Sequence, residues 1–294
     1  MKITQINDQN LIYFEGLIGD LWDNRNQESL FVGLIDDENT AVSAAVFSFM
    51  GQNVSLNFIA TDKRQRRKGY AAYLLKASME LMKTSMVYSL SAVIYVPGEF
   101  EISGDVLETD RPQIEGQEAI WGLLDKVGMK FYLTGMNRSV YRLGDIGIES
   151  AAEKPRGIKS GEELGEEELK CIREAELRTA DQSGYLMMRD YVSPANKYGR
   201  YYFEDNELKA MVACSVFEDG VMLNSIYAAE GGMIYMDELY RAVTDAVRAD
   251  FDDDAKVYID AYGDRLKAYM TERIQARPLE VYTAYAAGIR IGGN

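Results

Sequence analysis

Val54-Ser55-Leu56-Asn57-Phe58-Ile59-Ala60-Thr61-Asp62-Lys63-Arg64-Gln65-Arg66-Arg67-Lys68-Gly69-Tyr70-Ala71-Ala72-Tyr73-Leu74-Leu75 sets the architecture of the first half of this chain. Residues 54–60 alternate and read as a strand. Residues 69–83 read as a helix, with Ala72, Leu75, Met79 and Met82 at helical spacing. Between them lies a short loop in which five of the six residues 63–68 are basic. A helix start presents unsatisfied backbone N–H groups and the positive end of its dipole, so it favours an anion such as phosphate. Gly69 permits close approach of the backbone, and Ala71 keeps the next turn narrow. Two blander readings compete: a nucleic-acid or targeting patch, and a plain strand-to-helix turn.

Working outward, residues 2–6 read as a strand and 10–22 as one amphipathic helix with Leu11, Phe14, Leu17, Ile18 and Leu21 on a face. Residues 29–35 and 42–50 are strands on either side of an Asp-Asp-Glu-Asn turn, and 86–96 is a buried strand. Residues 97–116 form a long, acidic, irregular stretch, the kind of loop that carries function. A helix at 117–127 ends at Gly128, and 129–134 with 139–143 read as a closing hairpin. A Gly-, Glu-, Lys- and Ser-rich region follows. The organisation expected is therefore a domain at 1–145, a linker at 146–165 and a second domain at 166–294. In the second half, 166–179, 236–250 and 264–273 read as helices, and 201–204, 209–217, 221–227, 256–262 and 279–286 as strands. Val221-Met222-Leu223-Asn224-Ser225-Ile226 matches Val54-Ser55-Leu56-Asn57-Phe58-Ile59 at an offset of 167 residues. Val46-Phe47 and Val216-Phe217 precede these at nearly that offset. The common element order favours an internal duplication.

Composition narrows the chemistry. The chain holds no histidine, which excludes Ser-His and Cys-His nucleophile pairs and His-ligated metals, and no metal site is expected. Cys171 and Cys214 stand in no metal-like or redox spacing and read as two buried free thiols. The net charge is −15, about −6 in residues 1–150 and −9 beyond, so both halves are acidic. That disfavours nucleic acid as a partner and mildly favours a cationic substrate. No apolar run is long enough to span a membrane, and the first residues lack a signal-peptide plan, so a cytoplasmic location is the default expectation.

Arg66-Arg67-Lys68-Gly69-Tyr70-Ala71 resembles the Arg/Gln-x-x-Gly-x-Gly/Ala signature of the GNAT superfamily of N-acetyltransferases. Leu123-Leu124-Asp125-Lys126-Val127-Gly128-Met129 resembles, more weakly, that family's Leu-Tyr-Glu-Lys-x-Gly-Phe segment. The resemblance covers about half the chain. It implies an α/β (α+β) fold of two GNAT-like domains, each a mixed, mostly antiparallel sheet flanked by helices. It also implies acetyl-CoA (coenzyme A) as cofactor. Arg66, Arg67, Lys68, Gly69, Tyr70 and Ala71 would cradle the pyrophosphate, and Phe58, Ile59 and Thr61 would bind the pantetheine arm. The implied activity is direct acetyl transfer to a small amine.

The chain departs from the family pattern in two places. The position of the tyrosine that commonly protonates the departing thiolate holds Leu124, and that of a frequent asparagine holds Gln117. In the second half the matching loop, Ala228-Ala229-Glu230-Gly231-Gly232-Met233-Ile234-Tyr235, has no basic residue, and Glu230 would repel phosphate. That domain reads as degenerate, with a structural role or one wall of the substrate site. Candidate catalytic groups are Glu99 and Glu101 as bases and Asn57 as a group orienting water. The alternatives are a non-catalytic acyl-CoA-binding or regulatory protein, and a tandem aminoacyl or peptidyl transferase of related fold. A homodimer remains open.

Overall fold

The computed structural model describes residues 1–23, 25, 29–98, 107–150, 157–182, 196–217 and 219–292. In chain order the elements are β1 (Lys2–Gln5), α1 (Glu15–Ile18), β2 (Ser29–Ile35), β3 (Ala41–Met50), β4 (Asn53–Thr61), α2 (Tyr70–Lys83), β5 (Ser89–Pro97), β6 (Leu107–Thr109), α3 (Glu118–Lys126) and β7 (Lys130–Arg142). They continue as β8 (Ile158–Ser160), α4 (Glu166–Gln182), β9 (Arg200–Glu204), β10 (Glu207–Phe217), β11 (Gly220–Ala228), α5 (Met236–Arg248), β12 (Lys256–Tyr262), α6 (Gly263–Ile274) and β13 (Glu280–Arg290). The chain divides into two compact units. Unit 1 takes Met1–Ile94, Val106–Leu133 and Tyr285–Asn294; unit 2 takes Tyr95–Asp105 and Thr134–Ala284.

In unit 1, β1 to β4 run antiparallel in sequence order, β4 pairs β5 in parallel, and the C-terminal part of β13 and the start of β7 follow, with β6 on β7. The helix α2 buries Ala72, Leu74, Leu75, Met79 and Met82, as its spacing requires. Behind β2 and β3, Phe14 and Ile18 pack with Ile6, Phe31, Ala44 and Val46. The single helix expected at 10–22 is broken into a 3-10 turn, the four-residue α1 and a second 3-10 turn. Gly19 at φ +51° ends α1. Phe14 fixes the packing instead, since its ring lies where a Cβ on Gly33 would sit, 2.2 Å away.

In unit 2, β8 to β11 run antiparallel, β11 pairs β12 in parallel, and β12 pairs antiparallel with β7 from Met136 to Arg142. One core gathers Val221, Leu223, Val257 and Ile259 under α5 and α6, and a second gathers Ile172 and Ala175 of α4 against Tyr201 and Met211. The region read as a linker supplies Ile146, Ile158 and β8, all built into this unit, while residues 151–156 lie outside the described ones.

The closing hairpin expected at 129–143 is a correction. One strand, β7, runs from Lys130 to Arg142 without turning. Gly135, Met136 and Asn137, between the two expected strands, are buried, and the Asn137 side chain accepts a hydrogen bond from Thr283 Oγ1 at 3.0 Å. Neighbouring strands thus satisfy groups that water would satisfy in a turn.

Candidate functional site: a splayed strand pair beside a basic helix start

The parallel pairing of β4 and β5 covers only Asn53–Ser89, Val54–Leu90 and Ser55–Ser91. Beyond it β4 runs on to Thr61 and β5 continues through Ala92, Val93 and Ile94, with no shared register. Two strands that start paired and then separate leave a wedge with backbone N–H and C=O groups along its inner edge. The cause is local. Val46 faces Phe58 and Phe47 faces Leu56, so Asn57 is the extra residue of a β-bulge on β4. A bulge bends the strand and strengthens its twist.

The wedge leads to the basic loop. Asp62 accepts a hydrogen bond from the Arg64 N–H at 2.8 Å and caps a 3-10 turn at Lys63–Gln65. Arg67 (φ +65°) and Gly69 (φ +86°) are both left-handed, and α2 begins at Tyr70 with no acidic residue in its first turn and no side chain capping it. The helix start is therefore open. A Cβ built on Gly69 would meet nothing within 4 Å. Arg66, Arg67 and Lys68 are exposed. Arg66 Nε donates to the Thr61 carbonyl at 3.4 Å, and Lys68 Nζ donates to Gln65 Oε1 at 2.7 Å. Tyr70 and Ala71 are half-buried in the first turn of α2. On β4, Phe58 packs on the cluster around Phe14, Ile59 is half-buried, and Thr61 Oγ1 lies 3.1 Å from Ser43 Oγ. The residues expected to hold phosphate and pantetheine are thus contiguous: one strand edge and one helix start.

Of the candidate catalytic groups, Glu99 and Glu101 lie outside the described residues. Asn57 is exposed at the bulge, and two buried serines hold its side chain: Nδ2 donates to Ser48 Oγ at 2.6 Å, and Ser55 Oγ donates to Oδ1. Sequence reasoning missed both serines. Their signal was a hydroxyl placed between apolar neighbours, Phe47-Ser48-Phe49 and Val54-Ser55-Leu56. Leu124 is fully buried in α3 and its hydrocarbon side chain carries no proton to donate, and Gln117 accepts from Trp121 Nε1 at 3.2 Å.

Unit 2 repeats the geometry at a constant offset of 167 residues. β11 (Gly220–Ala228) stands to β4 (Asn53–Thr61) residue for residue, and its parallel pairing with β12 runs only from Gly220–Lys256 to Leu223–Ile259. Ala213 faces Ser225 and Cys214 faces Leu223, so Asn224 is the bulge residue as Asn57 is in unit 1. The counterpart of Val46-Phe47 is therefore Ala213-Cys214, and the alignment of Val216-Phe217 with that pair is corrected. What differs is the loop. Exposed Arg66 and Arg67 correspond to Met233 and Ile234, which are 58% and 75% exposed. Gly231 takes the left-handed conformation (φ +77°), a 3-10 turn at Gly232–Tyr235 runs directly into α5, and Asp237 and Glu238 occupy the first turn of that helix. Gly232 is pressed on the Lys209 carbonyl, 2.0 Å from where its Cβ would be. This helix start is closed by its own backbone and flanked by negative charge.

A parallel pair that splays beside a bulged strand is found once in each unit, and the fold is that of tandem GNAT proteins. Residues 6–97 match the model of the acetyltransferase (GNAT) family and form a domain of that family. Over its whole length the chain is similar in fold to a tandem GNAT protein from the clavulanic acid biosynthesis pathway, solved without AcCoA (10% identity, TM-score 0.61, 100% of this chain and 99% of that one). It is similar as well to the GCN5-related glucosamine N-acetyltransferase region of a fungal multi-domain GH3 beta-N-acetylglucosaminidase (10%, 0.57, 98% of this chain and 38% of that one). A GCN5-related N-acetyltransferase from Kribbella flavida matches at 10% identity and TM-score 0.50, over 99% of this chain and 72% of that one. No curated protein matches the chain in sequence.

Proposed function

We propose that the chain transfers an acetyl group from acetyl-CoA directly to the amine of a small acceptor, with unit 1 as the cofactor-binding unit. One observation carries this reading: the β4–β5 wedge opens beside an uncapped helix start ringed by three exposed cations in an otherwise acidic chain. The donor set fits the cofactor. Arg66, Arg67, Lys68 and the N–H groups at the start of α2 suit a pyrophosphate, and the edge of β4 from Phe58 to Thr61 suits an amide-bearing arm. Bound acetyl-CoA would supply an activated thioester. A backbone N–H in residues 58–60 would stabilise the oxyanion as the C–N bond forms. The amine must reach the site neutral, and a carboxylate or water takes its proton. With the Leu124 hydrocarbon at that position, no side chain there protonates sulfur; a thiol is acidic enough to leave as thiolate without one. The same Leu124 favours the second reading, binding of acyl-CoA without turnover.

Isothermal titration with acetyl-CoA tests the site. Gly69 borders open space and Asp is among the residues that enter the left-handed region, so Gly69→Asp should fold at a modest cost in backbone strain and bind at least 100-fold more weakly, by charge repulsion and occupation of the anion's place. Unchanged affinity would sink the assignment. Thiol release with spermidine, L-lysine and kanamycin separates the two readings, since binding with no release on any amine favours the non-catalytic one.

A further inference from the structure

Asn57 is held more firmly than an exposed strand residue needs. Ser48 and Ser55 face each other across β3 and β4, and both are about 97% buried. Ser48 follows Ala44 and Val46 at every second position, so it shares the face on which Phe14 and Ile18 pack. Their hydroxyls engage both ends of the Asn57 amide, one on Nδ2 and one on Oδ1. A primary amide has two donors and two acceptor lone pairs. The clamp uses one of each, in either orientation of the amide, and leaves one N–H and one lone pair on an exposed side chain.

We infer that Asn57 orients the acceptor amine at the wedge and that Ser48 and Ser55 are the positioning residues that hold it there. The inference rests on the acetyl-transfer reading and adds where the acceptor approaches: from the bulge of β4, on the face that carries α1. The remaining lone pair accepts an N–H of the neutral amine without taking its proton, which aims the nitrogen lone pair at the thioester carbon. As the C–N bond forms and the C–S bond breaks, the amine proton goes to water or a carboxylate, and Asn57 keeps its own protons. The internal repeat supplies a second observation. At the positions of Ser48, Ser55 and Asn57, unit 2 carries Ser215, Met222 and Asn224. The unit without a basic loop has thus also replaced one hydroxyl of the clamp by a buried methionine.

The test uses the full chain with acetyl-CoA and whichever of spermidine, L-lysine or kanamycin gives the fastest thiol release. Asn57→Ala should lower kcat/KM for the amine about 30- to 100-fold and leave acetyl-CoA affinity within twofold, because misplacing a reacting group by about 1 Å costs that much. Ser48→Ala and Ser55→Ala should each cost about tenfold, and neither should add its full effect to Asn57→Ala, because both act through it. Ser55→Thr keeps the hydroxyl and should restore most of the rate, which a purely structural role would not predict. Amine kcat/KM unchanged in Asn57→Ala, or serine effects that add fully to it, overturns the inference while the function stands. A wild-type chain that binds no acetyl-CoA, or binds it and acetylates none of the amines, overturns the function and the inference together.

Discussion

Cys214 and Cys171 carry the same thiol in different surroundings. Both were expected to be buried; Cys214 is, while Cys171 is half-buried with its Sγ 3.8 Å from the Asn206 carbonyl. Burial in β10 pushes the Cys214 thiol up to about 12, offset only partly by the charge of Arg200. The thiolate is the reactive species. At pH 8 iodoacetamide should therefore label Cys171 and spare Cys214 in the folded chain, with both labelled in urea. Peptide mass mapping reads this directly, and labelling of Cys214 without denaturant would contradict its placement. Gly69 belongs to the same scale. Its left-handed φ and the open space beside it follow from a single missing side chain, and that absence makes the start of α2 available.

Helix starts divide the elements of this chain by chemistry. The start of α2 is open and basic, whereas α5 continues a 3-10 turn and bears Asp237 and Glu238. The start of α4 is sealed by a side chain: Glu168 Oε2 accepts the Gly165 N–H at 3.0 Å, and Lys159 Nζ donates to Oε1 at 2.6 Å. Burial raises the Glu168 pKa, but the Lys159 hydrogen bond, the Gly165 N–H and the lysine charge together outweigh it, and the net shift is downward from 4.5. A depressed carboxyl contributes stability that is complete above its unfolded pKa and is lost as pH falls through its folded one. Glu168→Gln should therefore cost about 0.5–1 kcal/mol at pH 7, and the gap should close as pH falls below 4.5. Urea unfolding of both proteins at pH 7 and pH 3.5 measures it; a gap that widens in acid would refute the capping role.

At the scale of the whole molecule, unit 1 is not a contiguous stretch of chain. Residues 285–294 belong to it, the C-terminal part of β13 stands between β5 and β7 in its strand order, and Tyr285 meets Trp121 of α3 edge to face at 5.8 Å. Trp121 is almost fully buried. A fragment of residues 1–145 lacks that strand, exposes β5 and strips one side of Trp121. It should fail to unfold cooperatively, and a synthetic peptide of residues 279–292 added in trans should restore a thermal transition and quench solvent exposure of the tryptophan. A sharp transition in the fragment alone would show that the C-terminal strand is dispensable.

Local pattern determined much of this protein. The strand β4, the stripe of α2 and the Gly69 loop are short-range features, each legible because a strand or helix face declares itself within about ten residues, and the repeat at 167 residues was legible because each of its two copies is such a short run. Only tertiary structure decided the rest. It fused an apparent hairpin into β7, because buried neighbours satisfy Asn137 as a turn's water would. It brought residues 285–290 beside β5, a pairing with no sequence proximity to signal it. It also set Ser48 against Ser55 across two strands, so that two unremarkable serines close on Asn57. The opening motif thus locates an open, basic helix start by itself, but the clamped amide beside it emerges only when β3 and β4 pair in register around the bulge.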